Sequence, residues 1–181
     1  MPDGGREADA LPETGGVYAL LLRVEEGVSV RVGALGRLRF EAGWYCYVGS
    51  ARAGLRARLR RHLRAEGKRL HWHVDYLRRY ARPVGALIVT RADAQECSLS
   101  DAVARAADRS VPGFGAGDCR CRSHLHYFRS DPTGRFAELV SRRDAALTGR
   151  RSVPAAQDPA GRRTYPFCGG RLEGAQWVNL A

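Results

Sequence analysis

The chain has a single lysine, Lys68, against 29 arginines. That imbalance points to codon bias in a GC-rich genome, so the arginine count alone says little about partners. No stretch of about 18 uncharged apolar residues occurs, and no membrane span is expected. The first residues, Met1 to Pro12, are acidic and polar. They lack the basic-then-apolar order of a secretory signal, which predicts a cytoplasmic chain. The cysteines number five, an odd count without framework spacing, which argues against a disulfide-stapled secreted scaffold. No internal repeat is visible.

What is present is a chain of 181 residues, 44% hydrophobic, which is enough for one domain with a real core. The net charge of +11 and a pI near 10.2 point to a polyanion partner. The distribution of the charge says more than its sum. Between Arg52 and Arg82 there are eleven basic residues and two acids, Glu66 and Asp75. Codon bias does not explain such clustering, whereas a phosphate-facing surface does.

The pattern predicts an α+β fold: a small antiparallel or mixed sheet, a β-meander plus one later strand, flanked by three or more helices. Residues 1–13 read as a flexible arm, 14–129 as the folded domain, and 130–181 as a C-terminal extension, partly helical and then loosely ordered. Val17 to Val24 is a buried strand, Val28 to Val32 alternates as a half-exposed one, and Leu38 to Phe40 and Trp44 to Gly49 complete the meander. Leu55, Leu59 and Leu63 form one apolar stripe of a helix spanning Gly54 to Glu66, with Gly67 as its stop. A second helix is predicted over His71 to Tyr80 and a buried strand over Val84 to Thr90. A third helix opens at Asp93-x-x-Glu96 and runs to about Arg109. Phe136 to Leu147 has helical character.

Two tripeptides stand out, Gly16-Val17-Tyr18 and Tyr47-Val48-Gly49, followed by the basic helix. Tyr45 and Tyr47 share one strand face, with Trp44, Cys46 and Val48 on the other. If the first and last meander strands are neighbours, Tyr18 and Tyr47 converge; the alternative is that both are packing residues. On the helical wheel Arg58 and His62 line one flank of the leucine stripe and Arg56 and Arg60 the other, while Arg61 and Arg64 face outward. Periodicity does not choose between Arg56 and Arg58. A guanidinium suits a phosphate because its planar fork matches two oxygens and never deprotonates.

The order Gly-Val-Tyr, Tyr-Val-Gly-Ser, Leu-x-x-Arg-Leu-x-x-His resembles the GIY-YIG nuclease superfamily, which includes the nuclease subunit of bacterial excision repair and several homing endonucleases. More closely, the chain resembles a family filed as domain of unknown function 123. The segments that carry that likeness are Phe40 to Ser50, His71-Trp72-His73-Val74-Asp75-Tyr76-Leu77, Glu96-Cys97 and Gly113 to Leu125, and it covers residues 15 to about 129. The resemblance implies that Tyr18 and Tyr47 surround an attacking water, that Arg58 steadies the scissile phosphate, and that Glu96 holds Mg²⁺ or Mn²⁺. His62 sits where the superfamily often has a histidine. Relatives sometimes accompany a base-excision glycosylase, which implies DNA and a repair-protein partner. One departure is that no asparagine occurs between Cys97 and Arg109.

Arg52, Arg56, Arg60, Lys68, Arg69 and His73 are the expected nucleic-acid contacts. Asp75 is read instead as the partner of a nearby arginine, and Glu96 also fits a plain capping box with Asp93. Cys97, Cys119, Cys121 and His124, with His126 as a further donor, could hold a structural zinc. The alternative preferred on spacing is small buried cysteines beside a hydrogen-bonded histidine. The expected activity is metal-dependent hydrolysis of nucleic-acid phosphodiesters. The rival expectations are a non-catalytic nucleic-acid-binding module and a zinc-stabilised interaction domain.

Overall fold

The computed structural model describes residues 11–90, 94–136 and 175–180, with the backbone of 156–157 and 163–164. Its α+β framework is an antiparallel sheet of six strands with helices on both faces. In chain order the elements are β1 (Gly16–Val24), β2 (Val28–Arg31), a 3-10 turn (Gly33–Leu35), β3 (Arg37–Phe40) and β4 (Gly43–Ala51). Helices α1 (Leu55–Leu63) and α2 (His73–Leu77) precede β5 (Arg82–Val89). Then come α3 (Glu96–Ala106), β6 (Arg109–Ser110), β7 (Leu125–Phe128), β8 (Ala156–Gln157), β9 (Arg163–Thr164) and β10 (Ala175–Asn179).

The first 50 residues are not a simple meander. Strands β2 and β3 pair only with each other as a separate hairpin, and β1 pairs directly with β4 along its whole length. The main sheet runs β10-β5-β1-β4-β7-β6, so four strands beyond the first 50 residues join it rather than one. The near-continuous apolar run of β1 follows from this central place: flanked by β4 and β5, it is covered on both faces.

Period-two alternation divides the core. Tyr18, Leu20 and Leu22 meet Tyr45 and Tyr47 on one face, under Leu55 and Leu59 of α1 and Val74 and Leu77 of α2. Val17, Ala19 and Leu21 meet Cys46 and Val48 on the other, under Leu99 and Val103 of α3. Each fully buried leucine of α1 contributes roughly 1.5–3 kcal/mol of transfer free energy. The three predicted helices that lie within the described residues are shorter than their patterns. Helix α1 ends at Leu63, four residues before Gly67, with Arg64 extended, and α2 keeps only His73–Leu77. Asp75, at its third position, accepts hydrogen bonds from the N–H groups of His71 and Trp72 and so fixes the start of that helix.

The first and last described segments are more engaged than composition predicts. Leu11 is fully buried, and α1 donates its first N–H groups to the carbonyls of Thr14 and Pro12. Residues 11–13, read as the end of a flexible arm, are therefore docked. At the other end, β10 lies within the stretch read as loosely ordered, yet it pairs with β5 from Ala175↔Val89 to Asn179↔Gly85. A Cβ on Gly85 would collide with the Trp177 ring, so the glycine makes room for that indole. Trp177 in turn stacks on Phe136 at 6.0 Å. Residues 133–136 are helical; the rest of the predicted Phe136–Leu147 helix lies outside the described residues.

Candidate functional site

Because β1 and β4 are neighbours, Tyr18 lies opposite Gly49 and Leu20 opposite Tyr47, which sets the two phenols diagonally on one face. Their ring centroids are 6.4 Å apart. A Cβ on Gly49 would lie 2.5 Å from the Tyr18 hydroxyl oxygen, which explains why the second tripeptide ends in glycine. His62 of α1 completes the group. Tyr18 Oη and His62 Nε2 are 2.7 Å apart, and the imidazole meets the Tyr47 ring edge-on at 6.0 Å.

This cluster is buried: Tyr18 is 1%, Tyr47 5% and His62 1% exposed. Burial pushes both phenols well above their ordinary pKa, so each is a neutral O–H at neutral pH. Burial also lowers the His62 pKa, against the opposing pull of Asp75, and keeps the ring neutral. Behind His62, its Nδ1 stands 3.8 Å from Asp75 Oδ1. Asp75 is fully buried and bound by Arg61 at 2.8 Å and Lys68 at 2.9 Å. Burial alone would raise its pKa, but His62, Lys68 and the N–H groups of His71 and Trp72 outweigh it and hold the carboxyl far below the usual range.

Arg58 lies over Trp72, its guanidinium carbon 4.1 Å from the ring centroid, and Trp72 packs against His62 at 5.9 Å. Glu96, the first residue of α3, belongs to the opposite side of the sheet but reaches the shared ends of β1 and β4. There it lines a cleft of about 650 Å³ with Gly16, Ser50, Arg52 and Thr90. Its negative charge raises, and the Arg58 charge lowers, the pKa of both phenols. Burial would raise the Glu96 pKa, but hydrogen bonds from His124 and Ser50 outweigh it, so the carboxylate is ionised at neutral pH. Gln95 precedes the helix without a side-chain cap, and Asp93 lies outside the described residues.

The second constellation adjoins the first. Donor atoms of Cys97, Cys119, Cys121 and His124 all lie within 4.8 Å of one another, a cluster that could hold a metal ion and is consistent with structural zinc. The fold thus gathers the three cysteines and the histidine into one group, with His124 also hydrogen-bonded to Glu96. His126 is not part of it. Ser100 spends its proton on the Ser123 carbonyl, so His126 Nε2–H donates to Ser100 Oγ and Nδ1 accepts from Ser110, both at 2.9 Å.

The model of the family described as "Domain of unknown function DUF123" matches residues 17–145. The chain belongs to the DUF123 family. No curated protein and no solved structure matches it.

In this DUF123 chain the residues expected to grip nucleic acid fall into two groups. Arg52 is exposed at the cleft, and Arg60 and Arg69 are exposed on and after α1. The others are committed internally. Arg56 donates to the Leu11 carbonyl at 2.8 Å and pairs with Glu13 at 2.6 Å, tethering the N-terminal segment. Lys68, with a side chain 2% exposed, is spent on Asp75 and the Arg61 carbonyl, so its ammonium is not presented to a phosphate. His73 accepts the Gly115 N–H at 2.9 Å and packs on Phe114, so it anchors a loop. Asp75 does pair with an arginine, Arg61, which is half-buried rather than outward. Arg78 is likewise buried, donating to the carbonyls of Leu63 and Ala81. Sequence reasoning missed Ser50, which binds Glu96; its place directly after the second tripeptide was the available signal.

Among the described residues no helix is long and apolar enough to cross a membrane.

Proposed function

We propose that this chain is a metal-dependent endonuclease of the GIY-YIG type that hydrolyses phosphodiester bonds, in DNA before RNA and in a repair setting. One observation carries the reading: the Tyr18–Tyr47–His62 cluster lies within the electrostatic reach of both Arg58 and Glu96 at the ends of β1 and β4. A phosphodiester hydrolase needs a cation for the developing phosphate charge, polar groups to order water, and a carboxylate.

Glu96 is compatible with Mg²⁺. It is ionised and half-exposed, and a hard cation at a phosphodiester commonly takes one carboxylate oxygen, the rest coming from water and substrate. Its Oε1 already accepts from His124, so the other oxygen would be the ligand. Bound there, the cation would polarise the phosphoryl oxygens. The protein's own residues do the remainder. Arg58, placed over Trp72, meets the non-bridging oxygens and stabilises charge as water adds to phosphorus and the bridging P–O bond breaks, a water proton leaving with the departing oxygen. The tyrosines act as neutral phenols. His62, neutral and 2.7 Å from Tyr18, can accept a hydrogen bond from the phenol O–H and fix its orientation. Arg52 at the cleft contacts the flanking backbone.

A second reading is favoured by the burial of the phenols, 1% and 5% exposed: a module that binds nucleic acid without cutting it. Incubation of supercoiled plasmid with the chain separates the two. Nicking that needs Mg²⁺ or Mn²⁺ and is lost in Glu96→Gln supports the nuclease; salt-sensitive binding with no nicking supports the module.

A further inference from the structure

The cysteine cluster is built from two separate parts of the chain. Cys97 lies in the first turn of α3; Cys119, Cys121 and His124 lie in the segment leading into β7. Three thiols and an imidazole are soft donors, suited to zinc and unsuited to Mg²⁺ or Ca²⁺. The spacing agrees. Tetrahedral zinc with sulfur at ~2.3 Å and nitrogen at ~2.0–2.1 Å sets donor–donor edges of roughly 3.5–3.8 Å. Cys119 Sγ and His124 Nε2 are 3.5 Å apart, and all three cysteines are free thiols.

His124 is shared. Its Nε2 faces the thiols, while its Nδ1 is 2.7 Å from Glu96 Oε1. A metal-bound histidine usually gives its other N–H to a carboxylate or carbonyl, which fixes the tautomer and the ring plane. The loop from 111 to 124 is held on its other side by buried Phe114, by the Gly115 N–H bond to His73 and by backbone bonds such as Gly113 to the Arg122 carbonyl and His124 to that of Phe114. The segment that carries Cys119 and Cys121 would be fixed by the metal.

We propose that Cys97, Cys119, Cys121 and His124 hold a structural zinc ion, and that zinc-bound His124 sets the position of Glu96 at the cleft. Loading replaces three S–H protons with zinc–thiolate bonds, without any redox change. The ion joins the start of α3 to the entry of β7, and the His124–Glu96 hydrogen bond carries that constraint to the carboxylate. Only the use made of Glu96 rests on the proposed nuclease; the metal site stands apart from it.

The test uses the whole chain purified under reducing conditions, and neither readout involves cleavage. Elemental analysis is expected to find one zinc per chain. Exchange with Co²⁺ is expected to give the ligand-field and sulfur charge-transfer absorption of a tetrahedral thiolate site, lost in Cys119→Ser. A chain holding only traces of zinc and giving no tetrahedral Co²⁺ spectrum overturns the site, even if variants misfold. Competition with a chromogenic chelator then addresses Glu96. The near-isosteric Glu96→Gln is expected to weaken zinc about 10–100-fold. Unchanged affinity in that variant, at unchanged circular dichroism, overturns the coupling.

Discussion

His124 donates a 2.7 Å hydrogen bond to Glu96, which joins the cysteine cluster to the cleft beside the chain link from Glu96 to Cys97. It also gives Glu96 a role beyond helix capping. The carboxylate turns to a neighbouring loop and to Ser50 rather than back to its own helix. A charged side chain held by two donors is oriented as well as ionised, which a metal or phosphate site requires.

Zinc removal is expected to lower the melting temperature, because an ion bound only by the folded state stabilises it by mass action. Differential scanning calorimetry with and without chelator checks this. Added Zn²⁺ should restore the transition and added Mg²⁺ should not. A melt indifferent to chelation would contradict it.

Gly49→Ala should cost about 1–3 kcal/mol in urea unfolding, as overpacking does. Its new methyl group would press on the Tyr18 hydroxyl, which is both buried and bonded to His62. A neutral outcome would mean that Tyr18 has room to move.

The acid limb of stability should begin near pH 6.5. The folded His62 has a pKa below the unfolded value, so on acidification the unfolded chain takes up the proton first. Stability is therefore full above about pH 6.5 and declines below it. Asp75, depressed in the fold, adds a second loss below its unfolded value of about 4. Chemical denaturation from pH 8 to pH 4 reads the first slope; His62→Gln should reduce it and leave the share of His73 and His126, whose pKa values burial also lowers.

These same buried charges show where the sequence was legible and where it was not. The face of Tyr45 and Tyr47, the leucine stripe and the β5 run were readable because each depends on local periodicity. The β10 strand was not. Its short, mixed segment is stabilised by pairing with β5 and by the hollow over Gly85, neither of which leaves a local signature. The fate of Lys68 was hidden for a similar reason: a charge count treats it as surface, whereas a turn in the chain brings it to Asp75. Cys97 was counted beside Cys119, Cys121 and His124 in the sequence, but spacing alone does not show that α3 brings it to them.

Charge commitment yields a further contrast. If nucleic acid binds the cleft, Arg52→Ala should reduce the slope of log K against log salt by about one phosphate contact. Lys68→Ala should leave that slope unchanged and instead lower stability, since it strips a partner from a buried carboxylate. Fluorescence anisotropy across a salt series measures both, and equal slopes for the two variants would contradict the assignment.

The most direct measurement is single-turnover cleavage of a labelled duplex by Arg58→Ala beside the unaltered chain, at saturating protein and fixed Mg²⁺ or Mn²⁺. The account predicts a rate lower by about 10²–10³ with binding nearly unchanged, the mark of a group that stabilises charge in the transition state. An unaltered chain that binds but never cuts, or an Arg58→Ala chain that cuts at full rate, would contradict it.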